Sequence, residues 1–168
     1  MTVTEAIRAR RSVRKYKPDP VPPEHVRLLL EAAMMAPSAI NTRPWEFAVI
    51  RDRALRERIA AVSPPAKPIL AAPLAILVSG RTDAQKPHLQ YWPQDAGAAI
   101  ENLLLQALDL GYGTCWCGLY PLTDRADAVR EILGLDPAAV PMGVIAVGVP
   151  DETPAPRGFY DENKVKYF

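Results

Sequence analysis

Residues 95–110, DAGAAIENLLLQALDL, place the strongest constraint on the fold of this chain. Their pattern predicts a helix in which three consecutive leucines, 103–105, follow Ile100, so apolar side chains occupy more than one face. A one-sided amphipathic helix could lie on a surface, but this one could not. We therefore expect a helix that is largely buried, with other elements packed around it.

Hydrophobic periodicity and the positions of proline predict the other elements. The chain has 18 prolines, about twice the average usage, and most of them stand at segment boundaries. Helices are predicted over residues 3–9, 22–36, 52–62 and 124–133, and strands or extended segments over 46–50, 74–79, 114–119 and 142–149. No internal repeat and no Gly-x-Gly-x-x-Gly dinucleotide fingerprint is present. The predicted fold class is α+β: one layered domain, residues 1–168, with helices on a central sheet of four or five strands.

Composition excludes several classes of protein. The net charge of +1 gives no bulk attraction to nucleic acid, and no apolar run reaches the roughly 18 residues of a membrane helix. The N-terminus has a basic cluster without an apolar run, so we expect no secretory signal. Cys115 and Cys117 are too close in sequence to build a disulfide framework, and no second Cys/His cluster completes a metal site. We expect a soluble, cytoplasmic protein without a metal.

A basic run near the N-terminus is the first candidate site. Arg10, Arg11, Ser12 and Arg14 place three guanidinium groups and a hydroxyl within five residues. The planar donor fork of arginine matches a phosphate group, so the run is a candidate anion-binding segment. The alternative is a solvated basic turn, which is the more common role of an isolated basic run.

Two further segments are candidates. Pro37, Ser38 and Asn41 follow the predicted helix 22–36 and offer a hydroxyl and an amide that can read the edge of a heterocycle; the alternative is a simple proline-bounded turn. Residues 111–119, GYGTCWCGL, contain glycines that let backbone approach a ligand closely. The two thiols there do not have the Cys-x-x-Cys redox spacing and are expected to be buried and inert.

No hydrolase or nucleotide-triphosphate motif is present, and His25 and His88 lack an obvious partner.

Three stretches, in this order and spacing, resemble the nitroreductase family of FMN-dependent oxidoreductases: AIRARRSVRKYK, AAMMAPSAINTRPWEFAVI and DAGAAIENLLLQALDLGYGTCWCGLYP. The similarity runs from about residue 4 to residue 149. It implies a mostly antiparallel central sheet flanked by helices, an intertwined homodimer, and two FMN sites at the subunit interface. The segment between residues 79 and 95 is short, so the helical insertion of longer members is expected to be reduced or absent.

The resemblance also implies roles for individual residues. Arg10, Arg11, Ser12 and Arg14 correspond to contacts with the ribityl phosphate and the flavin edge. Pro37, Ser38 and Asn41 correspond to contacts donated by the other subunit. Cys117, Gly118 and Leu119 correspond to the backbone facing flavin N5, and Arg157 to a late basic residue that closes on the phosphate.

The implied reaction is a ping-pong cycle. NADH or NADPH passes a hydride to flavin N5, and a small-molecule acceptor such as a nitroaromatic or a quinone then takes the electrons. The flavin carries this chemistry, so no side-chain acid or base is expected to be catalytic. The alternatives are a specialised flavoenzyme on the same scaffold, for reductive dehalogenation or flavin fragmentation, and a flavin-binding module without turnover.

Overall fold

The structure, a computed structural model, describes residues 1–155, 158 and 160–168. In these ranges the α-helices are α1 Val3–Ala9, α2 Pro23–Met34, α3 Arg53–Val62, α4 Pro68–Ala71, α5 Trp92–Asp109 and α6 Thr123–Leu133. The strands are β1 Trp45–Ile50, β2 Leu74–Arg81, β3 Gly113–Gly118 and β4 Ala139–Gly148. Short 3₁₀ turns occupy Ala39–Asn41, Pro64–Ala66 and Glu162–Lys164. The α+β prediction is confirmed.

The strands form one antiparallel sheet in the order β1-β2-β4-β3. Alternate residues of β2 point to opposite faces, so Ile76 packs with α2 and α5 while Leu77 packs with α3, α4 and α6. The sheet therefore separates two apolar clusters, and both of its faces are covered. Its interior strands lack a polar face, which explains the almost uninterrupted apolar run in β2.

Helix α5 packs against the first face of the sheet, as its composition predicts. Ile100 and Leu103 are completely buried, and Leu104 is nearly so. Full burial of each such side chain contributes about 1.5–3 kcal/mol to the free energy of unfolding. No helix within the described ranges has both the length and the apolar character needed to span a membrane.

Local sequence signals set the ends of several helices. Thr2 and Glu5 form a reciprocal capping box at the start of α1. Asp52 caps α3 by accepting the Leu55 N–H at 2.9 Å, and Gly134, with φ of +61°, ends α6.

Prolines account for most of the differences from the predicted elements. The proline-rich run 63–68 predicts a break between elements, yet Pro68 begins the short helix α4, since proline fits a first turn. Pro141 precedes the predicted strand 142–149 but lies inside β4, opposite Ser79 at a register irregularity, where a ladder bond is not required. Helix α5 begins three residues earlier than predicted, at Trp92, with Pro93 in its first turn.

The position of His25 in the first turn of a predicted helix indicates an exposed side chain, and this prediction is wrong. Its side chain is half-buried, and Nδ1 lies 2.7 Å from the Tyr112 hydroxyl in an edge-on ring contact. The contact ties α2 to the loop that precedes β3. It is a structural link rather than part of the candidate site.

Candidate functional site

The basic run lies in an extended segment, residues 10–17, that follows α1 and is fixed to one edge of the sheet. Ser12 forms a parallel bridge with Thr114 of β3, and the Val13 N–H donates to the Thr114 carbonyl at 2.8 Å. Farther along, the Lys17 N–H donates to the Val149 carbonyl at 2.9 Å. Because these bonds involve the backbone, the side chains of the segment are left for other contacts.

A glycine allows the segment to approach β3 closely. A Cβ at Gly113 would lie 2.8 Å from the Cβ of Val13, closer than real Cβ contacts occur. Val13 is buried and covers this part of the strand. Gly113 is therefore required by the close packing of the segment against β3.

Arg10, Arg11, Ser12 and Arg14 come together around one cavity of about 340 Å³, which Pro154 and Ala155 also line. A second cavity of about 350 Å³ shares two of these residues and is lined by Arg10, Ser12, Glu101, Leu104, Thr114 and Trp116. The first cavity is polar and strongly basic. The second cavity has a basic end beside an apolar and aromatic wall. Both cavities have volumes typical of small-molecule binding sites.

Hydrogen bonds hold the basic side chains in place. Arg10 Nε lies 3.1 Å from Glu101 Oε1 on α5, and Arg11 Nε donates to the Ala155 carbonyl at 3.1 Å. Arg14 Nη1 donates to the Ser12 carbonyl at 3.3 Å. Three guanidinium groups thus face one carboxylate among the lining residues, which favours an anion in the cavity.

Glu152 fixes the backbone of the basic segment from behind. Its Oε1 accepts the Arg14 N–H at 2.6 Å and the Lys15 N–H at 3.2 Å. These backbone donors lower the pKa of Glu152, with Arg14 making the larger contribution. Glu152 was not identified from the sequence, because 138 residues separate it from Arg14.

The Pro37–Asn41 segment does not border either of these cavities within the chain. Ser38 Oγ accepts the Arg43 N–H at 2.9 Å, and Asn41 Oδ1 accepts from Arg43 Nε at 3.1 Å. Pro37 and Asn41 are exposed, and Ser38 is half-buried. The structure therefore brings the basic candidates together but leaves this second group at a separate place on the surface.

Strand β3 places the third group of candidates with alternating orientation. Cys115 and Cys117 are buried in the second apolar cluster, as expected, and Leu119 is fully buried there. Trp116 lies on the opposite face and lines the second cavity, and Gly118 is exposed. Trp116 was not among the residues predicted from the sequence, although strand alternation places its side chain opposite the two thiols.

The two thiols influence each other. A hydrogen bond from Cys117 lowers the pKa of Cys115 to about 7, against the effect of burial. The same contact, together with burial, raises the pKa of Cys117. Neither thiol lines the two cavities.

Within the described residues no group of three or more His, Cys, Asp or Glu side chains could hold a metal ion. Arg157, the expected late basic residue, lies outside the described residues.

Comparison with known proteins identifies relatives along almost the whole chain. A family model described as the nitroreductase family matches residues 7–64 and 64–149. A proposed NADH dehydrogenase/NAD(P)H nitroreductase of Methanothermobacter thermautotrophicus is 40% identical over 165 residues, covering 98% of this chain and 86% of that protein.

Solved structures give the same result. An FMN-dependent nitroreductase of Clostridium difficile superposes with a TM-score of 0.90 at 28% identity, covering 98% of each chain. A proposed nitroreductase of Desulfovibrio desulfuricans, solved in complex with FMN, superposes with a TM-score of 0.88 at 33% identity, covering 100% of this chain and 98% of that one. This chain therefore belongs to the nitroreductase family.

Proposed function

We propose that this chain is an FMN-dependent oxidoreductase that oxidises NADH or NADPH and reduces a small-molecule acceptor such as a nitroaromatic or a quinone. The observation that carries the proposal is the cavity formed by Arg10, Arg11, Ser12 and Arg14, held against β3. The names of the relatives support the cofactor, since one is FMN-dependent and another is solved with FMN. Residues 1–168 would form one FMN-binding domain.

The chemistry of the two cavities fits FMN. A phosphate dianion requires more than one cationic donor, which the first cavity supplies in Arg11 and Arg14. A flat ring system with a polar edge requires an apolar wall beside hydrogen-bond donors. The second cavity supplies both, with Leu104 and Trp116 near the Arg10 guanidinium. Because the cavities share Arg10 and Ser12, one elongated ligand could occupy both.

The residues of the chain would bind and orient the cofactor. Arg11, Ser12 and Arg14 would hold the phosphate, while Arg10, fixed by Glu101, would stabilise negative charge at the flavin edge. Backbone groups of Cys117, Gly118 and Leu119 would face the N5 side, and Arg157 would close on the phosphate. When bound, FMN would supply the redox chemistry by taking a hydride from the nicotinamide and passing electrons to the acceptor.

The separate position of the second group supports a homodimer. Pro37, Ser38 and Asn41 lie outside the basic cavity of their own chain, so a second copy would have to supply them. Large apolar side chains are exposed on α1 and after α2: Val3 is 72% exposed and Met35 is 81% exposed. Val3 and Met35 line one surface cavity, and contiguous exposed apolar patches mark protein interfaces. We propose that two copies each complete the other's FMN site.

Absorbance and turnover test the proposal directly. The purified protein should be yellow, or become so on addition of FMN, and should consume NADH or NADPH continuously when menadione or a nitrofuran is present. Colourless protein that does not bind added FMN would exclude the proposal. Rapid reduction of bound FMN without continued consumption of NAD(P)H would instead indicate a flavin-binding module.

A further inference from the structure

The loop Ser38–Arg43 has an unusual backbone. Ile40, Asn41 and Arg43 have φ angles of +54°, +54° and +49°, in the left-handed region that side chains with a Cβ rarely adopt. A β-branched residue such as Ile40 is especially disfavoured there. Ile40 is also 79% exposed, so its own packing does not hold the loop. A backbone of this kind persists only where surrounding contacts impose it.

Within the loop Ser38 Oγ accepts the Arg43 N–H, and a buried carboxylate supplies the contacts from outside it. Asp95, in the first turn of α5, is 5% exposed, and its Oδ1 accepts the Ala39 N–H at 3.0 Å. Its Oδ2 accepts from Gln85 Nε2 at 2.8 Å, and the same nitrogen donates to Thr42 Oγ1 at 3.0 Å. Thr42 Oγ1 in turn donates to the Ala39 carbonyl at 3.0 Å. Asp95 therefore holds Ala39 directly, and Thr42 through Gln85.

With glutamine at position 85 as its partner, this network requires a carboxylate at position 95. Among the described residues no lysine or arginine pairs with Asp95, so its charge is balanced by N–H donors and the start of α5. An asparagine could still accept from Ala39, but its NH₂ group would face the NH₂ group of Gln85. Because an ionised carboxylate can only accept, Gln85 must turn its NH₂ group toward Asp95, and its Oε1 is then buried without a hydrogen-bond partner among the described residues.

We propose that Asp95 is a positioning residue for the flavin site: it locks the loop so that Ser38 and Asn41 are presented in the geometry needed to contact the FMN held by a second copy. This role rests on the proposed function, because the loop contacts a cofactor only if FMN binds. Asp95 itself lines neither basic cavity and is not assigned a contact with the cofactor.

The first test uses the flavin-free protein and measures amide hydrogen exchange by NMR. Asp95→Ala should accelerate exchange at Ala39 by about tenfold or more, since a charge-assisted hydrogen bond is lost. Asp52→Ala is the matched control, because Asp52 also accepts one backbone N–H, that of Leu55, but at the start of α3. Asp52→Ala should accelerate amide exchange at Leu55 and leave the exchange rate at Ala39 unchanged. Unchanged exchange at Ala39 in Asp95→Ala would overturn the proposal.

The second test measures FMN affinity and kcat/KM. Asp95→Asn should weaken FMN binding by about tenfold, whereas Asp52→Ala should not weaken it although it also lowers the melting temperature. The double variant Asp95→Asn with Gln85→Glu exchanges amide and carboxylate, and should bind FMN more tightly than Asp95→Asn alone. Equal FMN affinity in the single and the double variant would contradict the positioning role.

The outcomes separate the two proposals. Wild-type protein that does not bind FMN contradicts the proposed function, and the positioning role with it. Wild-type protein that binds FMN, together with a folded Asp95→Asn variant of equal FMN affinity and kcat/KM, contradicts the positioning role alone.

Discussion

Gly113→Ala tests whether close packing of the basic segment against β3 forms the site. The new Cβ would lie 2.8 Å from Cβ and Cγ1 of Val13 and 2.9 Å from its Cγ2. Val13 cannot retreat without lengthening the 2.8 Å bond from its N–H to the Thr114 carbonyl. Displacement of Val13 would also move Ser12, which bridges to Thr114.

The expected loss of stability follows from two opposing effects. Overpacking of this kind costs about 1–3 kcal/mol, whereas alanine lowers the entropy of the unfolded chain and offsets about 0.4–1 kcal/mol of that. We expect a net loss of about 1–2 kcal/mol, which lowers the melting temperature of a chain of this size by about 2–8 °C. FMN affinity should fall as well, because the side chains that line the cavity shift together.

Thermal unfolding and FMN titration measure both effects. Gly97→Ala is the matched control: its Cβ would contact only the Trp116 ring, at 3.9 Å, inside a helix that favours alanine. Its melting temperature should not fall. Adding Val13→Gly to Gly113→Ala removes the colliding carbons and should recover FMN affinity. An unchanged melting temperature and FMN affinity in Gly113→Ala would refute the reasoning.

Three other predictions concern neighbouring groups. Arg14→Ala should raise the Kd for FMN roughly tenfold to a hundredfold, because the phosphate loses a charge-assisted bond of about 1.5–3 kcal/mol; equal affinity in a dialysis or fluorescence titration would contradict its role. The pKa of Glu152 is lowered in the folded state, so its stabilising effect is present near neutral pH and is lost as the pH falls through its folded pKa. The melting temperatures of wild type and Glu152→Gln should therefore converge in acid, and curves that stay parallel down to strongly acidic pH would contradict this. Cys115 and Cys117, each 4% exposed, should not react with a thiol reagent in the folded protein and should both react after unfolding; rapid labelling of native protein would show that β3 opens.

Elements with a strong local signal could be predicted from the sequence. The apolar run of β2 and the multi-faced apolar pattern of α5 indicated buried elements, and both are buried. The basic candidates are adjacent in sequence, so their grouping around one cavity required no knowledge of the fold. The cap at Asp52, at the start of the predicted helix 52–62, depends on a signal that spans only three residues.

Contacts between distant segments could not be predicted in this way. Glu152 supports the basic segment from 138 residues away, and Asp95 reaches Ala39 across 56 residues. Neither pair has a sequence signature, because each depends on the strand order β1-β2-β4-β3 and on where loops end. Trp116 is an intermediate case: alternation along β3 placed it opposite the thiols, but only the structure shows which face borders a cavity.

Sedimentation velocity with detection at the flavin absorbance tests the central claim most directly. The chain mass is 18.5 kDa. We therefore expect the flavin-absorbing species to have twice that mass, with one FMN bound per chain. A species of single-chain mass that carries FMN would contradict the shared site, and a dimer without flavin absorbance after incubation with FMN would contradict the assignment of the cofactor.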